Sequence, residues 1–221
     1  MKHDYDIKVN DKRVLRICRI KGIKSTIKYA NKGCTRHADN PQHIAENLLN
    51  RKFHADKPNE KWLTDVTEFK WYEGIEVHKI YLSAILDLCD RRIVSYEISR
   101  RNDTALVFDT FDKAVIVNPE AHPLFHSDRG FQYTSRIFYN KLNAAGMTQS
   151  MSRVAKCIDN GPMEGFWGIL KRERYYGRRF TNEEELIAMI ERYISYYNER
   201  RVQRNLGVLT PFEKYNKLMA A

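Results

Sequence analysis

The sequence predicts an α/β fold, a mixed sheet covered by helices, on two observations. Three consecutive runs rich in β-branched and aromatic residues lie between residues 62 and 99, and from residue 105 onward helical and strand patterns alternate before the chain closes on helices. With 221 residues the chain can bury one substantial core and still carry a small arm.

The first element is a short basic helix. In VLRICRIKGIKSTI (14–27) apolar residues recur at helical spacing between Arg13, Arg16, Arg19 and Lys21, and Gly22 is a natural stop. Residues 28–42 (KYANKGCTRHADNPQ) are polar and rich in turn formers, so they read as a linker, followed by a short helix near His43 to Asn50. The chain thus divides into a basic helical arm with its linker, 1–55, and a main domain, 56–221, with the transition near Pro58. In that domain WLTDVTEFKW (62–71) alternates as a strand and Glu73-Gly74 turns the chain. VHKIYLSAILDLC (77–89) returns, and a tight turn at Asp90-Arg91 leads into RIVSYEIS (92–99). These three strands form an antiparallel meander. The period then switches: ALVFDTFDKAVI (105–116) puts apolar residues at 106, 107, 111, 114 and 115 on one helical face. HPLFHS (122–127) is a short strand, Ser135 to Ala145 a helix stopped by Gly146, and TQSMS (148–152) another strand. Helices follow at about 161–176 and from Glu183 to Arg200, the latter burying Leu186, Ile187, Ile190, Tyr193, Ile194 and Tyr197.

Composition narrows the function. Apolar residues make up 43% and charged residues 30%, a globular rather than a disordered balance. No run approaches the roughly 20 apolar residues of a membrane helix, and MKHDYDIKVN lacks a secretory apolar segment, so no membrane partner and a cytoplasmic location are expected. Cys18, Cys34, Cys89 and Cys157 stand far apart and read as reduced thiols. The net charge is +10, and residues 1–60 hold 14 Lys and Arg against 7 Asp and Glu. A basic arm before a nearly balanced domain suits a phosphate backbone.

Three acids stand where a solvated charge is not expected. Asp65 lies mid-strand on the face of Leu63, Thr67 and Phe69, where a carboxylate needs a partner. Asp128 follows Pro123-Leu124-Phe125 at the C-terminal end of a strand, where open α/β sheets put their sites, and Gly130 allows a sharp exit. Glu164 comes early in a helix opened by Asn160-Gly161-Pro162, with Met163, Phe166 and Leu170 on the neighbouring, core-facing side.

The segments WLTDVTEF, FHSDRGFQYTS, SMSRVAKCIDNGPMEGFWGILKRE and YNERRVQRNLGVLTPFEKY resemble the integrase-like catalytic core of bacterial insertion-sequence transposases, the second-frame products related to retroviral integrases. Between Asp128 and Glu164 lie 35 residues, the spacing of that family's Asp-Asp-Glu pattern. The resemblance runs from about Lys57 to Tyr215 and implies a ribonuclease-H-like fold. It also implies a DNA transposase performing metal-dependent strand cleavage and strand transfer, a polynucleotidyl transferase for DNA integration and recombination of a mobile element.

Three carboxylates suit hard cations, because Mg²⁺ and Mn²⁺ take oxygen ligands and two ions can clamp a scissile phosphate. By resemblance, Asp65 bridges two such ions while Asp128 and Glu164 each hold one. Lys171, two helical turns beyond Glu164, would reach the DNA backbone. Arg172, Arg174, Arg178 and Arg179 with Tyr175 and Tyr176 mix charge with stacking surface suited to DNA. Arg16, Arg19 and Lys21 would bind DNA from the arm. The implied partners are double-stranded DNA, both element ends and target, and further copies of the chain assembled on it. No small-molecule cofactor is expected, and the location would be the bacterial nucleoid.

Other residues have simpler readings. Asp87 and Asp90 are turn residues, His126 is a packed histidine, and Cys34, His37 and His43 lack the second cysteine of an integrase zinc module. The family's N-terminal helix-turn-helix-like module is matched only in its last part, by VNDKRVLRICRIKGIKS, so the chain is expected to be shortened there. The competing readings are a plain nuclease of the same fold and a catalytically silent, truncated DNA-binding remnant or regulator.

Overall fold

Strand β1 (Lys61–Glu73) holds the middle of the sheet because both of its faces are apolar: Trp62 and Val66 face one core, Leu63 and Phe69 the other. The computed structural model describes residues 9–23, 41–153 and 157–220. β2 (Glu76–Asp87) pairs antiparallel with β1 from Trp62↔Asp87 to Glu73↔Glu76, across a hairpin where Gly74 takes φ +59. β3 (Ile93–Ser99) pairs antiparallel with β2. β4 (Leu124–Ser127) then lies parallel to β1, and β5 (Thr148–Met151) parallel to β4, giving the order β3-β2-β1-β4-β5. The antiparallel meander and the mixed sheet are those the sequence predicts.

Helices cover both faces. On one side α2 (Thr104–Val117), capped by Asp103, buries Leu106, Val107, Phe111 and Ala114. α3 (Arg136–Ala144), capped by Ser135 and stopped at Gly146 with φ +69, adds Phe138 and Leu142 to the same core. On the other side α4 (Gly161–Leu170) buries Met163, Phe166, Trp167 and Leu170, and its last turn widens into a π-helical turn, Lys171–Tyr175. α5 (Glu183–Glu199), capped by Asn182, lays Leu186, Ile190, Tyr193 and Tyr197 on that core. Each large apolar side chain so buried contributes about 1.5–3 kcal/mol, so both helical layers are held firmly to the strands between them.

The arm helix, α1, runs Asp11–Ile20 and starts earlier than its apolar pattern suggests, because Asn10 caps it by accepting from Lys12 N at 2.8 Å. Gly22 ends it with φ +65. None of its residues is buried, and Asp11 pairs with exposed Arg204 at 2.8 Å. The remainder of the expected arm helix, residues 24–27, and the linker up to residue 40 lie outside the described residues.

Two elements differ from expectation. Residues 43–50 are not a helix but an irregular strap along β5: Leu48 N and Leu49 N donate to Ser150 Oγ at 3.0 and 3.1 Å, and Met151 N donates to Glu46 O at 3.2 Å. The strap's backbone satisfies the edge of the sheet, which outweighs its local helical pattern. Leu49 and Ala55 accordingly sit in the core, although the sequence assigns them to the arm. Helix α6 (Pro211–Met219) is an addition; its signal was the capping box of Thr210 and Glu213 with Pro211 at the first turn.

Candidate active site

The three acids come from three elements. Asp65 projects from the middle of β1 on the side of Leu63 and Phe69, the face that α4 covers. Its carboxyl is fixed by two donors: Val66 N reaches Oδ1 at 2.8 Å and the Trp167 indole Nε1 reaches Oδ2 at 3.1 Å. Asp128 follows the last residue of β4, and its Oδ1 accepts from Gly130 N at 2.8 Å. A Cβ on Gly130 would stand 3.0 Å from that same oxygen, so the loop needs a residue without a side chain there. Glu164 is exposed in the first turn of α4.

Electrostatics link the three. Burial first, then the neighbouring Asp128 and, more weakly, Glu164 push the Asp65 carboxyl up to about 8, against the lowering pull of its Val66 and Trp167 donors. Glu164, although exposed, has part of its solvent displaced by the surrounding protein, and this raises its carboxyl above its ordinary value. The side chains do not close around a point: among the described residues no three of His, Cys, Asp and Glu form a ready-made metal cluster. A set of oxygen-only donors in which burial, reinforced by the neighbouring acids, keeps one member protonated nevertheless fits hard divalent cations, which would offset both effects.

The helix that carries Glu164 is anchored by residues the sequence analysis did not single out. Asn160 Nδ2 donates to Thr64 O at 3.1 Å, one residue before Asp65. Asp159 is fully buried and accepts from Arg153 N, Nε and Nη2, from Arg51 Nε at 2.7 Å and from Asn47 Nδ2 at 2.9 Å. The Arg153 guanidinium, with Arg51 behind it, holds that carboxyl well below the usual range. One acid thereby ties the strap, the end of β5 and the start of α4 together. The only sequence signal was its place in the turn before a helix, a spot most acids occupy as caps.

The other singled-out residues fall as follows. His126 is buried between Ser150 Oγ at 2.9 Å and Ser152 Oγ at 3.1 Å, and burial pushes its imidazole down to about 4, so it is a neutral packed histidine. Asp87 and Asp90 do shape the turn after β2, where Asp87 accepts from Cys89 N at 2.7 Å and Asp90 from Arg92 N at 2.8 Å. His43 packs on Tyr139 with ring centroids 4.0 Å apart, while Cys34 and His37 lie outside the described residues. Lys171 places its ammonium 5.0 Å from the centre of the Phe69 ring, on the strand of Asp65. The Arg172 guanidinium folds back over Gly168, and that of Arg174 stands 5.9 Å from the Tyr196 ring. Arg16, Arg19 and Lys21 are exposed on and just after α1.

Comparison with known proteins places this geometry. Two family models, each described as an integrase core domain, match residues 55–157 and 145–211. A transposase-like protein of Haemophilus influenzae is 43% identical over 208 residues, covering 93% of this chain and 92% of its own. The chain belongs to the insertion-sequence transposases with an integrase core. InsK of Escherichia coli K12, attributed to the element IS150, is 40% identical over 210 residues, which are 95% of this transposase and 72% of InsK. In fold, the HTLV-2 integrase catalytic core domain, solved in complex with magnesium in a trimeric form, superposes with TM-score 0.55 at 19% identity, covering 73% of this transposase and 99% of that core. The α/β sheet flanked by helices is thus the ribonuclease-H-like one. No helix among the described residues of the transposase is long and apolar enough to cross a membrane.

Proposed function

We propose that this transposase cleaves DNA at the ends of a mobile element and joins the freed 3′ end to target DNA, using Asp65, Asp128 and Glu164 as its catalytic carboxylates. The observation that carries the reading is the half-buried Asp65 carboxyl in mid-strand, raised by desolvation and burdened by two further acids from separate elements. Such a cluster is unstable alone and is completed by cations. Two Mg²⁺ or Mn²⁺ ions held there would supply the activated nucleophile and the stabilised leaving 3′-oxygen of an in-line displacement. Magnesium in the HTLV-2 core supports that choice of ion.

The chain's own residues have definite tasks. Val66 N and Trp167 Nε1 aim the Asp65 carboxylate, Gly130 N aims that of Asp128, and the first turn of α4 presents Glu164. The proton that the free Asp65 carboxyl keeps at neutral pH must leave when cations enter, so metal binding is coupled to proton release. Lys171, Arg172 and Arg174 on the same helical element are the proposed contacts to the DNA backbone near the site, and Arg16, Arg19 and Lys21 those of the arm. Assembly of several copies on two element ends is part of the reading, in keeping with the trimeric form of the HTLV-2 core.

A strand-transfer assay on labelled DNA ends with Mn²⁺ tests the reaction: joining is expected from the parental chain, and its absence from chain that binds DNA and Mn²⁺ would favour the silent-regulator reading. The arm is tested by replacing Arg16, Arg19 and Lys21 together with Ala. The slope of log affinity against log salt should become shallower by about 1 for each lost phosphate contact, and an unchanged slope would remove the arm from the DNA-binding surface.

A further inference from the structure

Glu164 has a neighbour four residues before it and another three residues after it that both reach back to β1. At 3.6 residues per turn, positions 160, 164 and 167 fall on one side of the helix. Asn160 Nδ2 donates to Thr64 O at 3.1 Å, and Trp167 Nε1 donates to Asp65 Oδ2, also at 3.1 Å. The two hydrogen bonds land on consecutive strand residues and straddle Glu164. Sliding α4 along β1, or rolling it, breaks one of them. Both donors are shielded, Asn160 being 4% and Trp167 6% exposed. Their landing point is itself fixed, because Thr64 Oγ1 donates to Ala84 O on β2 at 3.0 Å.

The same arrangement leaves acceptors for a ligand. Each Asp65 oxygen receives one donor, Oδ1 from Val66 N and Oδ2 from Trp167, and a carboxylate has about four lone-pair positions. Asn160 Oδ1 is buried with no hydrogen-bond partner among the described residues, an acceptor that an O–H donor of a hydrated cation can satisfy. We propose that Trp167 and Asn160 are positioning residues that set the distance between Asp65 and Glu164 for divalent-cation binding. The inference rests on the metal-site reading above and adds to it which side chains make that site the right width.

The tryptophans make the test specific. Of the three in the chain, Trp62 donates to Asp87 and Trp71 stacks on His78 at 4.3 Å, so Trp167 alone is bonded to the acid cluster. Mn²⁺ is titrated into the full chain, Trp167→Phe, Asn160→Ser and Glu164→Gln, followed by calorimetry and by intrinsic fluorescence. Trp167→Phe keeps an aromatic ring, though a smaller one, and deletes the N–H. It should bind Mn²⁺ about tenfold more weakly, the usual scale for losing a partner of a metal ligand, and should lose the fluorescence quench that Mn²⁺ produces in the parental chain. Asn160→Ser should weaken binding similarly and keep the quench. A purely structural role predicts a lowered thermal midpoint with parental Mn²⁺ affinity, and that result overturns the inference; the quench reports only that the cation binds beside Trp167. If Trp167→Phe does not fold, parental affinity in Asn160→Ser overturns it alone. Weaker binding in Glu164→Gln with parental binding in the other two refutes the positioning role and leaves the metal site standing. No Mn²⁺ binding by the parental chain, or none lost in Glu164→Gln, overturns the metal site and this inference with it.

Discussion

Asp65 on β1 and Asp87 at the end of β2 each centre an acidic cluster, and the chain treats the two in opposite ways. Around Asp87 the protein supplies donors and a cation: Asn59 N at 2.6 Å, Trp62 Nε1 at 3.1 Å and Cys89 N at 2.7 Å donate to it, and Arg92 Nε lies 3.8 Å from Oδ2 of its neighbour Asp90, close enough for charge but not for a hydrogen bond. Around Asp65 there are two donors and two further acids. Each cluster even has an indole donor at the same distance, so the difference is not local geometry but charge balance. A cluster that only holds a turn brings its own cation, Arg92, which stacks in turn on Tyr215 of α6 at 4.0 Å. The cluster beside α4 leaves its charge for a cation from outside.

The sharpest way to break this contrast is a pair of isosteric changes. Glu164→Gln removes a ligand charge at constant volume and should lower strand transfer by roughly a thousandfold or more, since losing even one electrostatic contact of this kind costs 10²–10³. The exposed side chain should leave the fold intact. Asp87→Asn should do the reverse: an amide cannot accept from every donor around Asp87, so stability should fall by about 1–3 kcal/mol, with joining per folded molecule retained. A folded, inactive Asp87→Asn, or Glu164→Gln joining at the parental rate, would mean that the two clusters have been assigned the wrong way round.

Titration sharpens it further. Asp65 is pushed up to about 8 and Asp90 to about 7, so the folded, metal-free chain keeps protons that the unfolded chain has already released. An acid raised in this way costs stability as pH rises through the window between its unfolded and folded values. Between pH 6.5 and 8 the metal-free thermal midpoint should therefore fall, by an amount equivalent to at most about 2 kcal/mol from Asp65. His126, held down at about 4, is neutral in the folded chain but about half protonated in the unfolded chain at pH 6.5, so it opposes this fall by less than about 0.5 kcal/mol, all of it below about pH 7.5. Saturating Mn²⁺ should abolish the Asp65 part of the fall and leave the Asp90 part, and Asp65→Asn should mimic that without metal. A midpoint flat from pH 6.5 to 8 in the metal-free parental chain contradicts the charge imbalance.

The smallest expected effect on the metal site is that of Trp62→Phe, which deletes the indole donor to Asp87 and shrinks a fully buried ring. It should lower stability by about 1–3 kcal/mol and leave Mn²⁺ affinity at the parental value, measured beside Trp167→Phe. A metal-binding defect in Trp62→Phe would show that the two clusters are mechanically coupled rather than independent.

The strands and covering helices were legible because their signals are local: alternation in WLTDVTEFKW, and one apolar face in residues 105–116 and 183–200. The three acids could be singled out one by one, because each breaks a local rule, a charge on an apolar strand face or at a strand end. What stayed hidden is tertiary. Residues 43–50 carry a helical pattern, but Ser150 offers their amides a better partner about a hundred positions away. Trp167 reads as a core aromatic, and it is one; its N–H matters only because β1 brings Asp65 against it. Asp159 reads as an ordinary helix-leading acid, and the two arginines that make it a hub come from residues 51 and 153.

The strap over β5 has a practical side. A shortened version of the transposase that begins at residue 56, where composition suggests a boundary, would strip Glu46, Leu48 and Leu49 from Ser150 and Met151. It would lay bare the hydrogen-bonding rim of a parallel strand, a surface that recruits strands from other molecules. Such a fragment would be sticky for reasons unrelated to DNA, and its precipitation or inactivity would say nothing about catalysis. Versions that start before residue 43 keep that rim covered and leave intermolecular contacts to the helices and the basic arm.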